Sequence, residues 1–248
     1  YHRKSVDVPV LIPEVNPDHA HIIPIQKKNR NWDKGFIVVK PNCSLQSYMI
    51  PLSPLHQQFK VTRLSVTTLQ AVSGAGHPGV SSLDIMDNVI PYIAHEEEKS
   101  EQEPLKIWGH IQEQGISSVG NIVISAHCNR VPVLDGHLAC VSVQFEQKPN
   151  KEDIINIWKT FNGIPQQLKL PSAPDYSIIY SEESDRPQPR QDRNAGNGMS
   201  VTVGRLRACP LFDYRFVALS HNTIRGAAGG GILNAEFLVQ QGYLEDIC

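Results

Sequence analysis

The chain has 248 residues, enough for one large domain or two small ones, and its 40% hydrophobic and 19% charged residues are typical of a globular protein. A formal net charge of -2 at pH 7 supplies no basic field that would recruit nucleic acid. No apolar run approaches the length that spans a bilayer, so a membrane protein is not expected.

The cysteines are spread along the chain, at Cys43, Cys128, Cys140, Cys209 and Cys248. Their number is odd and no CxxC pair occurs, so the spacing indicates neither a metal site nor a redox pair. Reduced thiols in a cytoplasmic protein are the simpler interpretation. Because the first residue is Tyr1 and not Met, we expect this sequence to be a fragment or a processed form.

The first predicted elements surround a cysteine. Residues 36–39 form a short apolar run that predicts a buried strand. Residues 45–59 carry apolar side chains at close to helical spacing, although Pro51 and Pro54 are expected to interrupt or kink that helix. Cys43 is therefore expected where a strand hands over to a helix N-terminus.

The rest of the chain alternates predicted strands with long connections and few helices. Runs typical of strands occupy 64–72, 121–125, 138–145, 200–206 and 214–219. Helical spacing predicts helices at 82–94, 153–161 and 233–241. Glycine-rich or polar connections are expected at 73–79, 135–136 and 184–198. This pattern favours an α+β fold, with a mostly antiparallel sheet covered by helices.

Cys43 is the first candidate for chemistry, because a helix N-terminus favours the thiolate, which is the nucleophilic form. The alternative is an inert buried cysteine, which is the commoner fate of any single cysteine. His137, after an Asp-Gly turn, could be a general base, and His221 competes with it on composition alone. Arg130 could bind a carboxylate or phosphate, or it could be a solvated surface charge.

Two further segments are ambiguous. The charge run 96–99 could be no more than a solvated helix end. The glycine-rich turn 73–76 could place backbone N–H groups near a phosphate, and 226–231 could do the same or permit close helix packing. Neither segment is a dinucleotide-binding fingerprint.

Many segments together resemble the archaeal and fungal branch of aspartate-semialdehyde dehydrogenase. The matching segments, in order, are 8–16, 42–44, 69–76, 87–91, 96–99, 128–131, 135–137, 185–190, 203–205 and 221–229. Their order and number make a chance match very improbable. The resemblance implies a catalytic domain like the C-terminal domain of glyceraldehyde-3-phosphate dehydrogenase, and a homodimer or homotetramer.

The resemblance also implies a reaction, the NADPH-dependent reduction of L-aspartyl 4-phosphate to L-aspartate 4-semialdehyde, on the route to lysine, threonine and methionine. It implies that Cys43 forms a thioester, that Gln70 orients the acyl-enzyme, and that His137 is the acid/base. The implied substrate-binding residues are Arg130 for the α-carboxylate, Glu96 and Lys99 for the amino group and phosphate, Arg3 for the phosphate, and Asn42. The implied cofactor contacts are Ser73, Gly74 and Asn222.

The sequence departs from the family in two ways. The family begins with a Gly-rich NADP-binding domain, and we expect most of it to be missing. The implied division is the end of that domain in 1–42, the catalytic and dimerisation domain in 43–220, and a C-terminal helix returning to the cofactor domain in 221–248. The second departure is 45–48, which carries bulky residues where the family usually has small ones.

Two alternatives stay open from the sequence. A malonyl-CoA reductase of the same fold would share most of these motifs and would need space for coenzyme A. A truncated, non-catalytic paralogue that binds a full-length subunit would explain the departures, although it would not explain why Cys43, Gln70, Arg130 and His137 are all present.

Overall fold

The computed structural model describes residues 2–244, and its centre is a single six-stranded sheet. The strands of this sheet are β1 (Val61–Gln70), β4 (Val123–Arg130), β5 (His137–Phe145), β6 (Ile178–Ser181), β7 (Val201–Ala208) and β8 (Tyr214–Ser220), in the spatial order β4-β1-β5-β8-β7-β6. Strands β2 (His110–Gln112) and β3 (Gly115–Ser117) form a separate two-stranded hairpin.

The three central pairings of the sheet, β1 with β5, β5 with β8 and β8 with β7, are antiparallel. The two outer pairings, β1 with β4 and β7 with β6, are parallel. This confirms the predicted mostly antiparallel α+β fold. The alternation is clear in β5, where Ala139, Val141 and Val143 are all buried at a period of two residues.

The described part of the chain contains eight α-helices: α1 (Ile23–Arg30), α2 (Leu45–Phe59), α3 (Ser82–Ile85), α4 (Glu96–Ile107), α5 (Lys151–Thr160), α6 (Ile164–Gln167), α7 (Pro189–Asp192) and α8 (Gly229–Gln240). Short 3₁₀ segments lie at His2–Lys4, Pro17–Ile22, Val72–Ala75 and Ala195–Gly198, and a π-helix occupies Ile224–Ala228. Within residues 2–244, no helix combines the length and the apolar character needed to cross a bilayer.

Helix α2 lies on the inner face of the sheet and is buried along most of its length. Leu45, Tyr48, Met49 and Leu52 are fully enclosed in the main hydrophobic cluster. The predicted helix 45–59 is confirmed, and it continues as one helix through both of its prolines. Burial on all sides explains this, because packing stabilises a helix well beyond its intrinsic propensity.

A second, smaller hydrophobic cluster joins the two ends of the described chain. It contains Leu11 and Ile23 from the N-terminal part and Leu233 and Phe237 from α8. The side-chain amide of Asn234 donates to the Leu11 carbonyl at 3.2 Å, which fastens α8 to the N-terminal segment.

Two predicted elements are wrong. Residues 36–39 are half-buried and not a strand, since only Val39 forms an isolated bridge, to Val10. The predicted helix 82–94 is limited to α3, because Met86 is already extended, with φ -65° and ψ 131°, and Asp87 follows with a positive φ of 55°. Ile90 then forms a bridge to Arg130, which extends the segment along β4.

The other differences concern boundaries and short elements. The predicted strand 121–125 continues to residue 130 as β4, and 64–72 is shifted to β1. The predicted loop 184–198 contains α7 and a 3₁₀ turn. Strand β6 has only four residues and was not predicted. The predicted helix 233–241 begins earlier, at Gly229.

Candidate active site

Cys43 lies two residues before the first residue of α2, in a turn fixed by its neighbour Asn42. The Asn42 Oδ1 atom accepts hydrogen bonds from the Ser44 backbone N–H at 2.9 Å and from the Ser44 hydroxyl at 2.8 Å. Cys43 is partly exposed, whereas Asn42 and Ser44 are buried. The predicted location at a helix N-terminus is confirmed, although the strand predicted before it does not form, and Cys43 is only partly accessible.

A buried carboxylate gathers four of the predicted site residues. Glu96, at the start of α4, accepts hydrogen bonds from Asn42 Nδ2 at 2.7 Å, Lys99 Nζ at 2.9 Å and Gln70 Nε2 at 3.2 Å. Only 7% of Glu96 is exposed, so the interpretation of the charge run as a merely solvated helix end is wrong for this residue. The network places Gln70, at the end of β1, beside the Cys43 turn.

Glu103 extends this network and was not predicted. Its carboxylate accepts from the Asn42 backbone N–H at 2.8 Å and from Arg3 Nη1 at 3.2 Å. Burial raises the pKa of Glu103, and the nearby Arg3 opposes that effect. The signal for this residue is present in the sequence, because positions 96, 99 and 103 share one face of a helix.

A cavity of about 770 Å³ opens beside this cluster. Its charged lining consists of four cations, Arg3, Lys4, Lys99 and Lys106, and two carboxylates, Glu98 and Glu103. Arg3 reaches the Cys43 turn through Glu103 and also donates to the Lys40 carbonyl at 3.1 Å. A basic cavity of this kind suits an anionic ligand such as a phosphate.

The second group of predicted residues meets around Ala71, just after β1. Arg130 Nη1 donates to the Ala71 carbonyl at 2.7 Å, and His137 Nδ1 accepts from the Ala71 N–H at 3.1 Å. Since Nδ1 accepts, the proton of the neutral imidazole lies on Nε2. Among the described residues, this buried Nε2 has no hydrogen-bond partner.

Burial, with smaller contributions from Arg130 and His221, lowers the pKa of His137 to about 3. The imidazole is therefore neutral at physiological pH and can donate a hydrogen bond from Nε2. In this tautomer Nε2 is not a base, so the group is suited to donate to a developing oxyanion.

Gly74 lies directly against this pair, and only glycine fits there. A Cβ atom at Gly74 would lie 2.9 Å from both Arg130 Nη1 and His137 Nε2. Next to it, the Ser73 hydroxyl accepts from Asn222 Nδ2 at 2.8 Å, and Asn222 Oδ1 accepts from the Gly136 N–H at 2.8 Å. The three predicted cofactor contacts are thus adjacent to His137.

Cys43 also contacts the backbone at Gly226, in the glycine-rich segment 226–231, for which the sequence allowed two interpretations. A Cβ atom at Gly226 would lie 2.8 Å from the Cβ of Cys43, so the two backbones are in close contact. Gly226 belongs to the π-helix, a rare conformation that is often found at functional sites. The Lys40 ammonium donates to the Gly226 carbonyl and to the Pro41 carbonyl.

The thiol itself does not have the expected low pKa. Burial raises the pKa of Cys43, and Glu96 raises it further, whereas Lys40, the Cys43 backbone and Arg130 lower it. The expectation that the helix N-terminus alone would make this a thiolate is therefore not met. Stabilisation of the charged sulfur depends on the nearby cations.

The bulky residues that follow Cys43 do not occupy the site. Leu45 and Tyr48 are 0% exposed and belong to the main hydrophobic cluster, and the Tyr48 hydroxyl donates to the Ser100 carbonyl at 3.4 Å. Gln46 is also buried and accepts from Arg225 Nε at 3.3 Å. These side chains, which are larger than those usual in the family, therefore pack in the hydrophobic core and not in the site.

The other described thiols lie in different surroundings. Cys128 is buried, with its sulfur 3.7 Å from the Ser100 hydroxyl. Cys140 is exposed, and Cys209 is partly exposed. Cys248 lies outside the described residues. Within residues 2–244, no group of three or more His, Cys, Asp or Glu side chains is arranged to hold a metal ion.

Comparison with known proteins identifies relatives that cover nearly the whole chain. The profile of the family described as "Semialdehyde dehydrogenase, dimerisation domain" matches residues 52–225. The aspartate-semialdehyde dehydrogenase of Archaeoglobus fulgidus is 48% identical over 240 residues, which cover 97% of this chain and 68% of that protein. The malonyl-CoA reductase (NADP) of Metallosphaera sedula is 44% identical over 250 residues, which cover 98% and 69%.

Comparison with solved structures also finds an aspartate-semialdehyde dehydrogenase. The crystal structure of Candida albicans aspartate-semialdehyde dehydrogenase with NADP superposes with a TM-score of 0.87 at 40% identity, covering 98% of this chain and 70% of that one. The identity and coverage of these relatives, archaeal and fungal alike, show that this chain belongs to the aspartate-semialdehyde dehydrogenase family of oxidoreductases.

Proposed function

We propose that this chain catalyses the NADPH-dependent reduction of L-aspartyl 4-phosphate to L-aspartate 4-semialdehyde, through a thioester on Cys43, in lysine, threonine and methionine biosynthesis. The observation that carries the proposal is the position of a partly exposed Cys43 thiol in the electrostatic field of Glu96, Lys40 and Arg130. A nucleophile, a carboxylate and cations at one surface are the groups that an amino acyl phosphate requires.

The Cys43 thiolate attacks the C4 carbonyl, a carbon–sulfur bond forms, and the bond to the phosphate oxygen breaks with its electron pair leaving on phosphate. A thioester splits one difficult reduction into two easier steps. His137 Nε2–H donates to the carbonyl oxygen as negative charge develops there, because its neutral tautomer carries the proton on that atom. Arg3 and Lys99 in the basic cavity bind the phosphate.

The residues that would hold the nicotinamide end of NADP fit that group. Ser73 and Asn222 supply polar side chains, and Gly74 brings them beside the unpartnered Nε2 of His137. Bound there, NADPH supplies the hydride that reduces the thioester carbon. The carbon–sulfur bond then breaks, and the Cys43 thiolate leaves as the semialdehyde forms.

Two buried charges account for the amino acid part of the substrate. Arg130 is 5% exposed and can bind the α-carboxylate bidentately through its planar guanidinium. Glu96 is the buried anion beside Cys43 and suits the α-ammonium group. Gln70, held by Glu96 at 3.2 Å, is placed to orient the acyl group.

Malonyl-CoA reduction is the second candidate, because a malonyl-CoA reductase is 44% identical to this chain. A malonyl group carries a carboxylate for Arg130 but no ammonium group for Glu96. Glu96 is already paired with Lys99 at 2.9 Å through Oε1, but its Oε2 atom accepts from the neutral Gln70 amide at 3.2 Å, so it has a lone pair for an α-ammonium group, and this favours the aspartyl substrate.

We also propose the domain division expected from the sequence, with residues 43–220 as the catalytic and dimerisation domain of a homodimer or homotetramer. The family profile, which its description assigns to a dimerisation domain, covers most of that range. The smaller hydrophobic cluster brings Leu11 and Ile23 of the N-terminal part together with α8, and it also includes Leu170 and Met199 of the proposed catalytic domain.

The reaction is tested by steady-state turnover of NADPH with aspartyl phosphate and, separately, with malonyl-CoA, in the protein as encoded. We expect turnover with aspartyl phosphate and its near-complete loss in Cys43→Ser, because a serine hydroxyl without an activating base is a weak nucleophile. Faster turnover with malonyl-CoA would favour the second candidate. Retention of most of the rate in Cys43→Ser would contradict the thioester mechanism.

A further inference from the structure

Lys40 lies three residues before Cys43 and is partly buried, and among residues 2–244 it has no carboxylate within hydrogen-bonding distance, which is unusual for a lysine. Its ammonium donates to the Pro41 carbonyl at 3.1 Å and to the Gly226 carbonyl. Both acceptors are neutral, so neither neutralises the buried positive charge. Of the three N–H donors that an ammonium carries, the third remains for another acceptor.

The same contacts link Lys40 to Cys43 through Gly226. Gly226, whose carbonyl accepts from Lys40, is packed so tightly on Cys43 that an added Cβ atom would lie 2.8 Å from the Cys43 Cβ. Lys40, Gly226 and Cys43 therefore form one compact group. The loop from Lys40 to Cys43 and the π-helix close this group from opposite sides.

We propose that the Lys40 ammonium stabilises the Cys43 thiolate, and that it is the cation that makes this nucleophile available. The inference rests on the proposed role of Cys43 and adds a positioning residue to it. Stabilisation is required because Cys43 is partly buried beside the Glu96 carboxylate, and both conditions oppose a negative charge on sulfur.

The charged groups around the pair act in opposing senses, and within the pair each member favours the charged form of the other. Cys43 faces Glu96 on α4, Arg130 on β4 and Lys40 on its own loop, and Lys40 contributes more than Arg130 to lowering the pKa of the thiol. Lys40 in turn faces Arg3 and Glu103. Burial lowers the pKa of Lys40, and the negative sulfur opposes this effect. Each member of the pair thus favours the charged form of the other.

The test is the pH dependence of alkylation of Cys43 by iodoacetamide, measured separately for each cysteine by peptide mass spectrometry. Variants Lys40→Gln and Lys40→Met remove the charge. The former keeps an amide donor for the Gly226 carbonyl, and the latter keeps the length of the stem. Lys40→Arg keeps the charge. Lys151→Gln is the matched control, since Lys151 is exposed at the start of α5 and its replacement changes the net charge equally.

We expect each folded neutral variant to alkylate Cys43 about tenfold or more slowly at pH 7, since an adjacent opposite charge shifts a pKa by about one unit or more. The limiting rate at alkaline pH should stay unchanged, because the thiolate is then present without help. Lys40→Arg and Lys151→Gln should alkylate Cys43 at a rate close to that of the unsubstituted chain. The exposed Cys140 serves as an internal reference in every sample.

A structural role for Lys40 would give a different result. If Lys40 served only to hold the Pro41 and Gly226 carbonyls in place, its replacement would change the limiting alkylation rate at alkaline pH. The midpoint of the dependence of alkylation rate on pH would then stay the same. An unshifted midpoint in a neutral variant whose circular dichroism is unchanged would overturn the proposal. Failure of Cys43 to react in the unsubstituted chain, at any pH, would instead count against Cys43 as the nucleophile.

Discussion

Glu14 and Arg225 form an ion pair in the protein interior, and its removal has a calculable cost. The guanidinium donates to both carboxylate oxygens, at 2.7 and 2.6 Å. The two side chains are 0% and 1% exposed. Glu14→Gln keeps the shape of the side chain and removes its charge. It therefore leaves a guanidinium buried without a compensating anion.

Breaking one side of a buried pair costs about 3–5 kcal/mol, because the remaining charge keeps its full desolvation penalty. That is a large part of a total stability of roughly 5–15 kcal/mol. In a chain of this size it corresponds to a fall in Tm of about 6–20 °C, at about 2–4 °C per kcal/mol. The free energy of unfolding is measured by urea denaturation monitored by circular dichroism.

Two comparisons sharpen the measurement. The surface pair Lys159–Glu182, at 2.8 Å but 50% and 75% exposed, is the control, and Lys159→Met should cost less than about 1 kcal/mol. The double variant Glu14→Met with Arg225→Met should cost less than the sum of its two single variants, since it leaves no unpaired charge. A cost below about 1 kcal/mol for Glu14→Gln would refute the reasoning.

Three further predictions concern the site. Gly226→Ala should lower the alkylation rate of Cys43 at unchanged circular dichroism, because the new Cβ meets that residue at 2.8 Å, while Gly231→Ala, with no atom within 4 Å, should leave the rate unchanged. Arg130→Lys should raise the KM for aspartyl phosphate strongly without a matching fall in kcat, because an ammonium cannot replace a bidentate guanidinium; an unchanged KM would exclude Arg130 as the carboxylate ligand. His137 should make the chain less stable as pH falls from its ordinary pKa of 6.5 towards about 3, since only the unfolded state then binds the proton. Its contribution is roughly 1.4 kcal/mol per pH unit, and His137→Asn should flatten the dependence of unfolding free energy on pH by that amount.

The sequence predicts well those parts of the fold in which local pattern and tertiary burial agree. Helix α2 is one example, since its apolar spacing predicts residues 45–59 and packing then keeps it intact through Pro51 and Pro54. The helix predicted at 82–94 fails for the opposite reason. Its side chains are largely exposed, and the bridge from Ile90 to Arg130 replaces the helical hydrogen bonds.

The candidate site is predicted from the sequence only in part. Resemblance to a family points to Cys43, Glu96 and His137, but the hydrogen bonds that relate them come from separate elements and have no local pattern. No local sequence pattern points to Lys40. Its proposed role depends on a hydrogen bond to the Gly226 carbonyl of the π-helix, which lies far along the chain. The direction in which the Cys43 pKa shifts also depends on how deeply the thiol is buried. The residue types near a helix N-terminus do not reveal that burial.

The central claim is that Cys43 carries the acyl group, and trapping that adduct tests it most directly. The protein is mixed with aspartyl phosphate generated in place by an aspartate kinase with ATP, without NADPH, then quenched in acid and analysed by peptide mass spectrometry. Cys43→Ala and Cys128→Ala are treated in parallel. We predict one aspartyl group on the Cys43 peptide, removable by hydroxylamine and absent only from Cys43→Ala. Phosphate release with no adduct on Cys43, or an adduct that persists in Cys43→Ala, would contradict it.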